Sequence, residues 1–168
     1  MKKKKVILLV GISGSGKSTF VQEYCRRTFE SVIVCSADDG HMVDVAIDDA
    51  GCVRKEYRFD PSKIGQAHSD CLNKYILAFC AHDIDAIIVD NTNLTKWERQ
   101  NYFEIAAAFD VGVEVHQVDV RTIEGLKTCI ARNVHNVPAA TIADMALRFE
   151  RVEKDEHYSI TSIKDYLL

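Results

Sequence analysis

One short stretch narrows what this chain can fold into. Residues 11–18 read Gly11-Ile12-Ser13-Gly14-Ser15-Gly16-Lys17-Ser18, filling every fixed position of the phosphate-binding pattern GxxxxGK[ST]. The wholly apolar run Val6-Ile7-Leu8-Leu9-Val10 precedes it, and a helix-like stretch opens at Lys17. Glycines let backbone N–H groups turn inward around an anionic phosphate chain, and a helix N-terminus adds partial positive charge. The pattern assigns a phosphate cradle to Gly11, Ser13, Gly14, Ser15, Gly16, Lys17, Ser18 and Thr19. In such a cradle Lys17 reaches the β- and γ-phosphates, and the Ser18 hydroxyl is a ligand for Mg²⁺. The implied partner is a nucleoside triphosphate.

With 168 residues, 47% hydrophobic and 27% charged, the chain can bury one full core, so residues 1–168 are expected to form a single domain. The net charge of −4 argues against a protein that coats long nucleic acid, which needs a broad basic face. A local basic patch around one strand end remains compatible with it. None of the six cysteines (Cys25, Cys35, Cys52, Cys71, Cys80 and Cys129) forms a CxxC pair, so they are read as small buried hydrophobes in a reducing compartment. Lys2–Lys5 followed by Val6–Val10 is too short for a leader and runs straight into the phosphate loop. No segment approaches the ~18 apolar residues of a membrane span, which makes the cytoplasm the expected location.

Several further strands and helices follow. Ser31–Cys35 and Ala86–Asp90 read as buried strands, and Val111–Val120 as a further strand. Val43, Val45 and Ile47 alternate with Asp44, Ala46 and Asp48; turn residues Asp48-Asp49-Ala50-Gly51 come next, then Val53, Tyr57 and Phe59, predicting a β-hairpin. Asp60-Pro61 starts a helix to about Ala81, and Thr95-Lys96-Trp97-Glu98 opens another to about Phe109. Residues 122–132 and 138–154 are two more helices. The predicted fold is α/β: a three-layer P-loop NTPase sandwich with a central parallel sheet, an inserted β-hairpin and a helical lid over about 121–138. In such a sheet the ligand lies at the carboxyl ends of the strands, where the loops after Val10, Cys35 and Val89 converge.

Those loops carry the chemistry. Asp90 closes a strand, the place of an acid that contacts Mg²⁺ directly or through water; capping the next turn is its other reading. Asn91, Thr92 and Asn93 either orient Asp90, contact substrate or form a simple turn. Asp38 and Asp39 follow the second strand. A carboxylate there can take the proton of an attacking alcohol, and Asp38 is favoured as the base, with Asp39 beside the substrate. Arg132, before the short Asn133–Pro138 loop, is the candidate clamp for charge developing on a transferred phosphoryl group. Arg121, Arg148 and Arg151 read as surface charges, and His68 as a core histidine. His41 and His135 lie in loops close to the site.

Taken together, Gly11–Thr19, Ser36-Ala37-Asp38-Asp39, Asp90-Asn91-Thr92-Asn93 and Arg132-Asn133 with Val137-Pro138 resemble the kinase domain of the 5′-hydroxyl polynucleotide kinases. The resemblance covers roughly residues 5–155 and is to the small AAA-type branch with phage and eukaryotic members. It implies ATP in the phosphate loop, an aspartate base at Asp38, a lid arginine at Arg132, and a nucleic-acid 5′-hydroxyl or related alcohol as acceptor. The sequence departs from that family in carrying His41 where members have a substrate-phosphate arginine. The alternatives are a small-molecule kinase acting on a nucleoside, nucleotide or sugar, and an ATP-binding adaptor without transfer activity. The guanine-reading Asn-Lys-x-Asp motif is absent, which disfavours a GTPase switch.

Overall fold

Five consecutive apolar side chains alternate between the two faces of a strand, so Val6–Val10 requires cover on both sides. The computed structural model describes residues 3–47, 53–153 and 158–162. Its strands are β1 (Lys5–Gly11), β2 (Val32–Cys35), β3 (Met42–Ile47), β4 (Val53–Tyr57), β5 (Ala86–Val89), β6 (Val113–Val118) and β7 (Tyr158–Ser162). Five of them form one parallel sheet in the order β2-β5-β1-β6-β7, with β1 at its centre; β3 and β4 form a separate antiparallel pair. The helices are α1 (Lys17–Arg27), α2 (Ile64–Cys80), α3 (Lys96–Ala108), α4 (Ile123–Arg132) and α5 (Ala139–Leu147).

The alternation of β1 sorts the helices into layers. Val6, Leu8 and Val10 pack with Ala67, Cys71, Tyr75 and Phe79 of α2 and with Tyr102 and Ala106 of α3. Ile7 and Leu9 pack with Phe20 and Val21 of α1 on the opposite face. A third cluster of Ile12, Leu94, Cys129 and Ile142 seats α4 and α5 against the carboxyl end of β1. Burying each large apolar side chain contributes about 1.5–3 kcal/mol, so this central strand anchors the domain. Because β1 is flanked by β5 on one side and β6 on the other, the crevice where strand order reverses opens directly above the phosphate loop.

Local signals behave largely as their chemistry demands. Asp60 accepts hydrogen bonds from the Ser62 amide and hydroxyl, and Pro61 opens a short 3-10 turn ahead of α2. Thr95 caps α3 by accepting from the Glu98 amide, and the Glu98 carboxylate reaches back to the Leu94 amide, one residue earlier than a capping box requires. The hairpin forms, with a bulge between Asp44 and Ala46; its predicted turn at 48–51 lies outside the described residues.

Three expectations are corrected, and one strand is added. The last predicted helix, 138–154, stops at Leu147: Glu150 turns back to accept from the Lys96 amide, its own amide donates to Leu94, and the Val152 amide donates to the Gln117 side chain. These bonds tie the segment to α3 and β6. Strand β7, which no sequence signal announced, then pairs parallel with β6. His68 is exposed on α2 and not in the core. Cys35, Cys71 and Cys129 are buried as expected, but Cys25 and Cys80 are exposed, and Cys52 lies outside the described residues. Among the described residues no helix is long and apolar enough to cross a membrane.

Candidate active site

The phosphate loop is shaped by two glycines in the left-handed region, Gly14 at φ 74° and Gly16 at φ 94°. Gly16 starts α1 without a side-chain cap, so the first-turn amides through Thr19 point out of the helix end with no intrahelical partner. Thr19 itself is exposed on that turn. The Gly11 amide donates to the Thr92 carbonyl, fastening the loop to the segment after β5. A Cβ on Gly11 would lie 2.7 Å from the Ser15 hydroxyl, and one on Gly14 would lie 2.0 Å from the Cys129 carbonyl oxygen. The loop therefore sits tightly between β6 and α4. The Ser15 hydroxyl is buried without a hydrogen-bond partner among the described atoms. A buried unpartnered hydroxyl, turned-in glycines and an uncapped helix start together fit an anionic phosphate group.

Lys17 is buried and its ammonium donates to the Gly11 and Ile12 carbonyls at 2.9 and 3.0 Å. Burial lowers its pKa, and the charges of Asp90 and Asp38 oppose that shift. The Ser18 hydroxyl donates to Asp90 Oδ2 at 3.0 Å. Burial raises the Asp90 pKa against the pull of Lys17 and of the Ser18 hydrogen bond. Ser18 and Asp90 thus place two oxygens side by side, a set suited to hold Mg²⁺, which takes one or two protein oxygens and completes its shell with phosphate and water. No cluster of three or more His, Cys, Asp or Glu side chains with metal-binding geometry occurs among the described residues.

Asp38 sits in the 3-10 turn Ala37–His41 after β2 and is half-exposed. The turn is fixed from below. The Ser36 hydroxyl accepts from the Asp38 amide and donates to the Asp90 carbonyl, and Asn91 Oδ1 accepts from the Ala37 amide. Asp38 lies near enough to Lys17 and Asp90 for its charge to act on both. The Tyr57 hydroxyl of β4 is hydrogen-bonded to it, and His135 Nε2 from the α4–α5 loop lies 3.7 Å from its carboxylate. The doublet divides: Asp39 is exposed and paired with Lys74 of α2 at 2.8 Å.

Three residues weighed as substrate contacts are bonded into the frame. His41 is buried, its Nδ1 accepts from the Asp60 amide, and its ring packs on Tyr57 and Phe59, which leaves it bracing the foot of the hairpin. Asn91 is buried and also donates to Cys71 and Tyr102. Asn93 is buried at φ 48° and donates to the Leu9 carbonyl. Arg132 occupies the exposed last position of α4, one turn beyond Cys129 at the phosphate loop. Asn133 Oδ1 accepts from the Ser13 hydroxyl at 3.3 Å and from the His135 amide, and its amide group donates to Val137, docking the predicted lid on the loop. Arg121 and Arg151 pair with Asp119, and Arg148 with Glu98, as surface charges.

Sequence reasoning missed Arg99. It is fully buried, and its guanidinium donates to the Asn93 and Leu94 carbonyls at 2.8 and 2.9 Å, supporting the loop that follows Asp90. Its placement among Lys96, Trp97 and Glu98 gave no sign of burial. It missed Tyr57 as a site residue too, although a tyrosine closing a hairpin beside the acidic turn was a usable clue.

Comparison with known proteins agrees with this architecture. A human protein, NEDD4-binding protein 2, is 30% identical over 146 residues, 87% of this chain, while the chain spans 8% of that protein's length. In the Pnkp1/Rnl/Hen1 RNA repair complex, one chain superposes with TM-score 0.64 at 18% identity, over 88% of this chain and 44% of that one. A gluconokinase from Sinorhizobium meliloti 1021 superposes with TM-score 0.61 at 14% identity, over 98% of this chain and 85% of that one. These structures share the three-layer P-loop kinase-like fold. Residues 6–152 match the model of the AAA domain family, and the chain belongs to that family.

Proposed function

We propose that this domain is an ATP-dependent phosphotransferase that phosphorylates the 5′-hydroxyl end of a nucleic acid, with Asp38 as general base. The observation that carries the reading is the meeting of Asp38 with the Ser18–Asp90 pair and buried Lys17 beyond the carboxyl ends of β1, β2 and β5. A triphosphate cradle alone serves many purposes. A half-exposed carboxylate beside the cradle, held by two neighbouring elements, is what proton removal from an attacking alcohol requires.

In this reading the loop amides and Lys17 hold the phosphates, and Ser18 and Asp90 hold Mg²⁺, which neutralises developing charge. Asp38 accepts the acceptor's hydroxyl proton as the acceptor oxygen bonds to the γ-phosphorus, and the bond to the β-phosphate oxygen breaks to release ADP. Arg132 closes from the end of α4 over the transferred group. The resemblance to polynucleotide kinases and the likeness to a chain of an RNA repair complex support the acceptor class. The domain is incubated with γ-labelled ATP, Mg²⁺ and single-stranded 5′-hydroxyl DNA or RNA. Label at the 5′ end, lost in Asp38→Asn with ATP binding kept, supports the proposal; no label on either polymer refutes it. A second reading, a small-molecule kinase, is favoured by the net charge of −4 and by the gluconokinase likeness. It predicts ATP consumption with a sugar or nucleoside and an inert oligonucleotide.

A further inference from the structure

The hairpin β3–β4 is an insertion in the α/β scheme, and its sheet is separate from the main one. Yet its last residue, Tyr57, reaches the proposed base. Its hydroxyl is hydrogen-bonded to Asp38, and its ring lies 4.2 Å from that of His135, centroid to centroid, at 47°. His135 comes from the α4–α5 loop, and its Nε2 lies 3.7 Å from the same carboxylate. Both residues are half-buried.

Neither ring is loosely held. Tyr57 is backed by His41, whose carbonyl accepts from the Arg58 amide and whose ring nitrogen accepts from the Asp60 amide. The His135 amide is tied to Asn133, which also grips the phosphate loop through Ser13. Burial and the neighbouring Asp38 charge push the Tyr57 hydroxyl up to about 12, so it stays a neutral donor at physiological pH. A core contact would bury these two rings. Here the two half-buried rings instead lie against each other, and both adjoin the Asp38 carboxylate.

We propose that Tyr57 and His135 form a stacking platform for the nucleobase of the nucleotide whose 5′-hydroxyl faces Asp38. A tyrosine hydroxyl bonded to a carboxylate holds its ring roughly 6 Å from it, comparable to the reach of a nucleoside from its 5′-oxygen to its base. Stacking tolerates any base, because each presents a π-face, and it selects acceptors that carry a base over those that do not. The inference deepens the proposed function and rests on Asp38 being the proton acceptor there. It makes the hairpin the element that defines the substrate class.

The test uses single-stranded 5′-hydroxyl DNA and RNA probes with 2-aminopurine at the 5′ end, added to the whole domain without ATP. Stacking quenches the probe's fluorescence. Quenching is expected with at least one probe, lost in Tyr57→Leu and in His135→Leu, and kept in Tyr57→Phe and His135→Phe, which retain a ring. No quenching with either probe, or quenching unchanged in both leucine variants, overturns the proposal. In the transfer assay, an abasic 5′-terminal nucleotide is expected to lower kcat/KM about tenfold or more; equal rates with and without the base also overturn it. Quenching without any phosphate transfer would refute the kinase reading and leave the platform standing. Transfer indifferent to the terminal base would do the reverse.

Discussion

Gly14→Ala tests the contact between the phosphate loop and α4, the proposed lid. Gly14 adopts φ 74°, a region that costs an L-residue about 1–2 kcal/mol. The added methyl carbon would stand 2.0 Å from the Cys129 carbonyl oxygen and 3.1 Å from its Cα. The obstacle is backbone within α4, so no side-chain rotation relieves it, and α4 must retreat by at least about 1 Å. That retreat breaks the Ser13–Asn133 hydrogen bond, worth about 1 kcal/mol. The combined loss of about 2–3 kcal/mol lowers Tm by about 4–12 °C in a domain of this size. Activity is expected to suffer more, because a displacement near 1 Å at a catalytic group costs about 100-fold, and Arg132, the proposed clamp, rides on the same helix end. Calorimetry and γ-phosphate transfer measure the two effects. Gly65→Ala is the control: at this exposed position of α2 the methyl meets nothing within 4 Å, so stability is unchanged or rises by up to about 1 kcal/mol. If Gly14→Ala matches wild type in both Tm and rate, α4 does not lie against the loop and the lid assignment fails.

Other perturbations address separate parts of the account. Arg99→Met removes a buried guanidinium from two carbonyls and should cost about 3 kcal/mol, read by urea unfolding; a loss under about 1 kcal/mol would show that the post-β5 loop stands without it. Asp90→Asn should reduce Mg²⁺-supported ATP affinity to the level seen with EDTA, and unchanged metal dependence would remove Asp90 from the metal site. The His116 hydrogen bond, aided by Lys5, holds the Glu114 carboxyl down to about 2 from an ordinary 4.5. Its folded pKa is depressed, so the stability it contributes, at most about 3 kcal/mol, is complete above about pH 5 and is lost as pH falls towards 2. Glu114→Gln should flatten that acid limb of the stability curve; an unaltered limb would place the acid sensitivity elsewhere.

What the sequence disclosed follows from the range of the forces involved. The phosphate loop, β1 and the hairpin were legible because local geometry sets them: glycines at positive φ, an unbroken apolar run, a two-residue alternation. The caps at Asp60 and Thr95 act over a few residues and were read for the same reason. The buried Arg99 beside an 81% exposed Trp97 inverts the hydropathy expectation, because its burial is decided by carbonyls the fold brings to it. Strand β7 and the halt at Leu147 depend on pairing with β6 and on Glu150 meeting Lys96 and Leu94, contacts invisible in either segment alone. At the site, the bonds that residues weighed as substrate contacts make to the frame were not legible. His41, Asn91 and Asn93 point inward to hold the turn and the loop, and Tyr57, distant in sequence from the motifs, reaches Asp38.

The central claim is that Asp38 faces an alcohol oxygen across the phosphate cradle. A complex of the domain with a non-hydrolysable ATP analogue, Mg²⁺ and a short 5′-hydroxyl oligonucleotide tests it most directly. The expected result is a 5′-oxygen within about 2.6–3.2 Å of an Asp38 carboxylate oxygen and in line with the γ-phosphorus. A 5′-oxygen outside hydrogen-bond reach of Asp38, with another side chain beside it, would contradict the account.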